Sequence, residues 1–227
     1  MKVSHLILIA LGTGVLSSCI STYAPTTITP TALEEKGDAS IEVSQCFDGA
    51  RINVAYSPIN HMYVQGSGQG FVMGNNLFNR IVGLGAGYYR KLGSKLLLEA
   101  GGGMEWGHFK WVMNDGRIGD RDLSQANGFS TGAFSSLGLS WNRYDDSKHS
   151  ILLRFSYNDV LNTKGDVRQS LNRHFLTRQI AGFYTIRKNL TENIHYYYGA
   201  GFLGSSKEQY AVLTSPLFLY AGLRLSL

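Results

Sequence analysis

From residue 37 to residue 227 this chain keeps a two-residue hydrophobic period and has no sustained 3.6-residue pattern. Successive side chains of an extended backbone leave on opposite faces, so a two-residue period bounded by turn-forming residues reads as strands. Ten such segments fall at about 38–46, 50–57, 61–71, 79–91, 95–110, 127–142, 148–160, 174–187, 192–203 and 216–227, separated by clusters of Gly, Asn, Asp and Ser. The number is even, and most segments reach the roughly 9–11 residues that a tilted membrane strand needs. This predicts an all-β chain folded as an antiparallel up-and-down β-barrel. Short connections at 58–60, 92–94, 143–147 and 188–191 alternate with longer ones at 72–78, 111–126, 161–173 and 204–215. The first hairpin, Phe47-Asp48-Gly49, is tight where a long connection is due. Ten strands put both termini at the short-turn end.

The two faces sort by chemistry. In 95–110, Leu96, Leu98, Ala100, Met104 and Trp106 oppose Glu99, Gly101, Gly103 and Glu105. In 148–160, Ile151, Leu153, Phe155 and Tyr157 oppose Arg154, Ser156 and Asn158, and in 216–227 Leu219, Leu223 and Leu225 oppose Tyr220 and Arg224. The segment 174–187 alternates least cleanly. A membrane barrel turns the apolar face to lipid, whereas a soluble barrel turns it inward. Aromatic placement favours the membrane form. Tyr56, Tyr88, Trp141 and Tyr184 fall on the apolar face near the short-turn end, and Trp106, Tyr157 and Phe202 on that face toward the long loops. These are expected to be interface aromatics in two girdles. Glycine stripes at Gly83, Gly85, Gly87 and at Gly101, Gly103, Gly107 point to a narrow interior. Glu42, Glu99 and Glu105 are expected there as a lumen charge cluster with Arg51, Arg154 and Arg224, since a confined charge must be paired or hydrogen-bonded. The expected lumen is plugged rather than open.

Composition limits the alternatives. Lys+Arg 21 against Asp+Glu 16 gives a net charge of +5, unclustered, which argues against a nucleic-acid partner. Charged residues make up 16%, below the roughly 25% of soluble domains. Two cysteines exclude a disulfide scaffold and a four-cysteine zinc site.

Residues 1–18 read as a signal peptide: Lys2 precedes an apolar stretch from Leu6 to Leu16, too short to span a bilayer as a helix. The stretch ends Leu16-Ser17-Ser18-Cys19, which resembles the bacterial lipobox. That resemblance implies lipidation (palmitate among the acyl chains) at Cys19 and a mature chain beginning there. Residues 19–36 form the lipidated N-terminus and an extended tether containing Pro25 and Pro30, and 37–227 the barrel domain. Ile20-Ser21-Thr22 lacks the acidic cluster that resembles a surface-export signal, so the termini are expected on the periplasmic side. Cys19 with Pro25, Pro30, Leu33 and Glu35-Lys36-Gly37-Asp38, followed by Ala55-Tyr56-Ser57 and Asn60-His61, resembles uncharacterised lipoproteins of Bacteroidota predicted to be outer-membrane barrels. The resemblance covers mainly the first third of the chain. It implies a cell-envelope protein in the bacterial outer membrane. The chain departs from the usual aromatic last residue of such barrels, ending in Leu227.

Catalytic and metal motifs fail in context. Gly128-Phe129-Ser130-Thr131-Gly132 matches G-x-S-x-G but opens a strand pattern, with no helix after it. Gly83-Leu84-Gly85-Ala86-Gly87 lacks the third spaced glycine and the helix of a dinucleotide loop. His5, His61, His108, His149, His174 and His195 show no metal spacing, and Cys46 reads as an inert thiol. The balanced charges Asp115, Arg117, Asp120, Arg121 and Asp122 in 111–126 read as a solvated loop or a surface contact site. The leading expectation is a monomeric, lipid-anchored outer-membrane barrel with a structural or surface-interaction role. It has membrane lipid and a surface ligand or envelope partner as contacts, with no cofactor, metal or catalysis. Two alternatives stand beside it: a lipid-tethered periplasmic barrel that carries a small apolar ligand, and a small outer-membrane hydrolase with His108, beside Glu105 and Trp106, at its rim.

Overall fold

The computed structural model describes residues 33–46, 49–73, 77–114, 123–144, 147–164, 174–207 and 217–227. The signal peptide, Cys19, the tether up to residue 32 and the loop charges from Asp115 to Asp122 lie outside the described residues. Ten strands follow one another: β1 (Ala39–Cys46), β2 (Gly49–Ile59), β3 (Met62–Met73), β4 (Leu77–Leu92), β5 (Leu96–Asn114), β6 (Leu123–Tyr144), β7 (Ser147–Lys164), β8 (His174–Asn189), β9 (Ile194–Lys207) and β10 (Leu217–Ser226). Each pairs antiparallel with its sequence neighbours, and β1 pairs with β10 from Ser40↔Ser226 to Cys46↔Tyr220, closing the barrel. Closure leaves no unpaired sheet edge. Ala39 and Leu227 exchange backbone hydrogen bonds of 3.1 and 2.9 Å, so both ends of the barrel chain meet at the short-turn end.

All ten segments read from the alternation are strands; the long connections read after β5, β7 and β9 are present, but the one expected between β3 and β4 is as short as the turn between β4 and β5. The strand ends differ. β5, β6 and β7 run to 19, 22 and 18 residues, well past a membrane's width. Pairing continues into the segment read as a loop, with Trp111↔Ala126 and Asn114↔Leu123. Two strands already in register keep adding hydrogen bonds past the alternating part of the barrel wall. The connections shrink accordingly, β3 ending at Met73 and β4 starting at Leu77. At the short-turn end Gly93 takes φ 75°, a left-handed backbone that glycine adopts without a Cβ penalty.

The faces separate cleanly. Leu223, Leu84 and Leu153 are 55%, 62% and 39% exposed on the outside, while Glu99 and Arg154 are 3% and 1% exposed within. β8 alternated poorly because its outward row, Leu176, Arg178, Ile180, Gly182, Tyr184, contains an arginine and a glycine. Gly182 lies beneath the Phe202 ring of β9, where a Cβ would collide.

The N-terminal end of the described chain adds an element that alternation does not reveal. Residues 33–36, assigned to the tether, pack on the barrel. Leu33 is buried with the inward-facing Ala55, Tyr63, Tyr89 and Leu97. Asp38 accepts hydrogen bonds from the Glu34 and Glu35 amides at 2.8 and 2.9 Å, curling the segment, and Gly37 N–H donates to the Ser57 carbonyl at 2.8 Å.

Candidate functional site

The barrel interior concentrates the polar chemistry, layer by layer from the short-turn end. At the mouth, Glu34 lies between Lys91 of β4 and Lys148 of β7, at 3.0 Å from each ammonium. Burial alone would raise the Glu34 carboxyl pKa, but Lys148 and Lys91 outweigh it and bring it from its ordinary 4.5 to about 2. Just inside, Ser57 Oγ lies 2.8 Å from the Tyr89 hydroxyl and Ser140 Oγ 2.9 Å from Ser150 Oγ.

The middle holds two ion pairs. Arg154 Nη2 lies 2.6 Å from Glu105 Oε2, its Nε donates to Ser156 Oγ at 3.1 Å, and its guanidinium lies 4.1 Å from the Phe134 ring centroid. Across the barrel, Arg224 Nη1 lies 3.0 Å from Glu42 Oε1, and Nη2 donates to Ser40 Oγ at 3.0 Å. Arg51 Nε donates to Gln69 Oε1 at 3.0 Å, and Glu99 lies against Gly138. All six residues read as the lumen cluster are therefore buried inside. Four of them form two Glu–Arg pairs; Arg51 and Glu99 make other contacts.

Large rings also lie inside the barrel. The Tyr63 ring lies over Gly87 and Gly101, and the Phe134 ring over Gly85 and Gly103, where an added Cβ would strike the ring or the neighbouring backbone. The glycine stripes of β4 and β5 thus form a trough for aromatics reaching across from β3 and β6. A second cluster joins Phe134, Leu152, Phe183, Tyr197 and Tyr220. The Tyr220 hydroxyl lies 2.6 Å from Thr185 Oγ1.

The outside is the chemical inverse. Val43, Val54, Val82, Leu84, Met104, Leu137, Ile151 and Phe155 are all exposed. Tyr56, Tyr88, Trp106, Tyr157, Tyr184 and Phe202 are exposed on the same face, and Trp141 stacks on His149, whose Nδ1 lies 2.6 Å from the Tyr184 hydroxyl. The ten residue steps from Leu96 to Trp106 on β5 rise roughly 25 Å at about 3.3 Å per residue and a strand tilt of about 40°. That is about the height of a membrane barrel's apolar band.

The strings that match catalytic motifs lie within strands. Residues 128–132 lie within β6, and the glycines of 83–87 within β4. Glu105 points inward to Arg154, whereas His108 points outward, its ring stacked on Phe129 and its Nε2 3.1 Å from Asn127 Oδ1. An acid and a base on opposite sides of a strand cannot share a substrate. Among the described residues, no three His, Cys, Asp or Glu side chains group as a metal site. Reading the sequence missed Leu33, Glu34, Lys91 and Lys148. The available signal was a lone leucine followed by a carboxylate in an otherwise polar segment.

The architecture defines a class: a closed ten-stranded antiparallel barrel, ion-paired within and apolar without. No family model and no curated protein matches the chain. Among solved structures it is similar to the KdgM porin, with 10% identity, a TM-score of 0.40, and coverage of 83% of this chain and 98% of the porin. It is also similar to the CymD monoaromatic hydrocarbon channel (9% identity, TM-score 0.39, 85% of this chain and 67% of the channel). The Pseudomonas putida toluene transporter TodX matches at 8% identity and TM-score 0.35, over 83% of this chain and 88% of that one.

The mouth contact has a pH signature. A carboxylate held below its free value contributes docking stability that is complete above about pH 4.5 and is lost as the pH falls toward about 2. Hydrogen exchange at the Gly37 amide should therefore accelerate between those values in the native chain. In Glu34→Gln the acceleration across that window should vanish, leaving faster exchange throughout. Coincident profiles for the two proteins would remove the ion pairs from the account.

Proposed function

We propose that the protein is an integral outer-membrane barrel, anchored by lipid at Cys19 with both termini in the periplasm, and that its role is structural or one of surface interaction. One observation carries the reading: the exposed face is a continuous apolar belt of bilayer height, while two Glu–Arg pairs are buried inside. In water that arrangement would leave a large apolar area exposed; in a bilayer that cost falls away, while the charges inside are offset by their pairing. The lumen is plugged: Leu33 and Glu34 fill the periplasmic mouth, and Tyr63, Phe134 and Arg154 cross the interior. A carrier of apolar ligands would need an apolar interior, and ion pairs occupy that volume. The walls of β5, β6 and β7 rise beyond the belt and carry the long connections, the natural place for a surface contact.

Expression of residues 20–227, without the lipid site, tests the reading. The product should sediment with membranes, require detergent for extraction, and migrate differently on gels before and after boiling. A folded product in the detergent-free soluble fraction would overturn it.

A further inference from the structure

On the outer face, the apolar belt gives way abruptly to cations. The register row directly above Trp106 runs Gly70, Arg80, His108, Phe129, Leu161, and the next runs Phe78, Lys110, Asn127. Neither row contains Asp or Glu. Asp159 lies one row lower, on β7. Arg80 lies beside a run of stacked rings. Arg80 Cζ lies 5.8 Å from the Phe78 centroid, Phe78 meets His108 edge-on at 4.8 Å, and His108 stacks on Phe129 at 4.6 Å and 12°. Asn127 fixes the His108 ring through Nε2.

We propose that this patch binds the phosphate-bearing headgroup of a lipid in the leaflet on the long-connection side. The proposal rests on the membrane reading above. The belt beneath would contact the upper acyl chains, while Arg80, stacked beside Phe78, and Lys110 lie above it, where phosphates begin. Arginine suits this position because its planar fork matches phosphate oxygens while its face stacks on an aromatic ring. The occupant is a lipid rather than a soluble anion, since the cations rise directly from a surface that itself faces acyl chains. Sequence alone hides the patch: Arg80, His108 and Lys110 become neighbours only through the β4–β5 register.

The test uses the full chain purified in a neutral detergent, with phosphatidic acid and phosphatidylcholine as competing probes and native mass spectrometry as the readout. The native protein should retain phosphatidic acid roughly thirtyfold better, as two interfacial cations provide. Arg80→Gln with Lys110→Gln should abolish the preference while leaving the boiling-dependent gel shift intact. Equal retention of the two lipids, or a preference unchanged in the double variant, overturns the site. Displacement of the lipid by millimolar inorganic phosphate overturns the choice of occupant. Failure of the membrane reading is separable, since that outcome is a barrel folded without detergent.

Discussion

Replacing Arg154 with methionine should destabilise the barrel by about 3–5 kcal/mol, the usual cost of stranding one member of a buried ion pair. Glu105 and Arg154 are each 1% exposed, so neither can turn to bulk water when its partner goes. The loss includes the Glu105 contact, the Nε bond to Ser156 and the stacking on Phe134. Lysine at this position keeps the charge but not the planar face or the second bond, so Arg154→Lys should fall between methionine and the native residue. Adding Glu105→Gln to Arg154→Met should restore much of the loss, because the stranded charge is then gone. The two changes are therefore strongly non-additive. Urea unfolding in detergent micelles, followed by tryptophan fluorescence, measures all four proteins. A single-variant cost under about 1 kcal/mol would mean that water reaches the pair, and the plugged lumen would have to be given up.

The parts of the barrel that could be read in advance are those where each strand has two different surroundings. Leu98, Leu153 and Leu223 alternate with Glu99, Arg154 and Arg224 because one face is the outside of the barrel and the other its charged interior. The period stops being informative where both faces meet water, so the upper ends of β5 and β6, paired from Trp111↔Ala126 to Asn114↔Leu123, read as loop. Interior fit was hidden for another reason. The glycines of 83–87 and 101–103 mark a shallow surface, but which ring fills it depends on inter-strand register and barrel diameter. That Phe134 takes Gly85 and Gly103 while Tyr63 takes Gly87 and Gly101 follows from three-dimensional neighbours, not from any local pattern. Leu33 carries no period at all. A single apolar residue ahead of a charged turn is indistinguishable in sequence from tether, and only its burial with Tyr63, Tyr89 and Leu97 gives it a role.

An arginine placed on the outer face should report what the barrel is immersed in. Leu84 and Leu190 are about equally exposed, at 62% and 60%, so in water the two substitutions are equivalent. Their heights differ: Leu84 lies in the middle of β4, whereas Leu190 lies in the turn between β8 and β9. In a bilayer, Leu84→Arg sets a charge near the midplane and should cost about 2–4 kcal/mol, while Leu190→Arg, at the interface, should cost about 0–1. Leu223→Arg, on the belt at 55% exposure, tests the far side of the barrel and should resemble Leu84→Arg. A soluble barrel predicts no ordering at all. Solvated surface substitutions stay within about 0.5 kcal/mol, so all three proteins would match the native chain. The measurement is the folding equilibrium into lipid vesicles, by urea titration with the boiling-dependent gel shift as readout. Three variants all within about 0.5 kcal/mol of the native chain would place the belt in water and remove the basis for reading the outer face as lipid-facing. A steep dependence on depth cannot arise from side-chain packing, because the native leucines already project away from the barrel; it can come only from the medium around them.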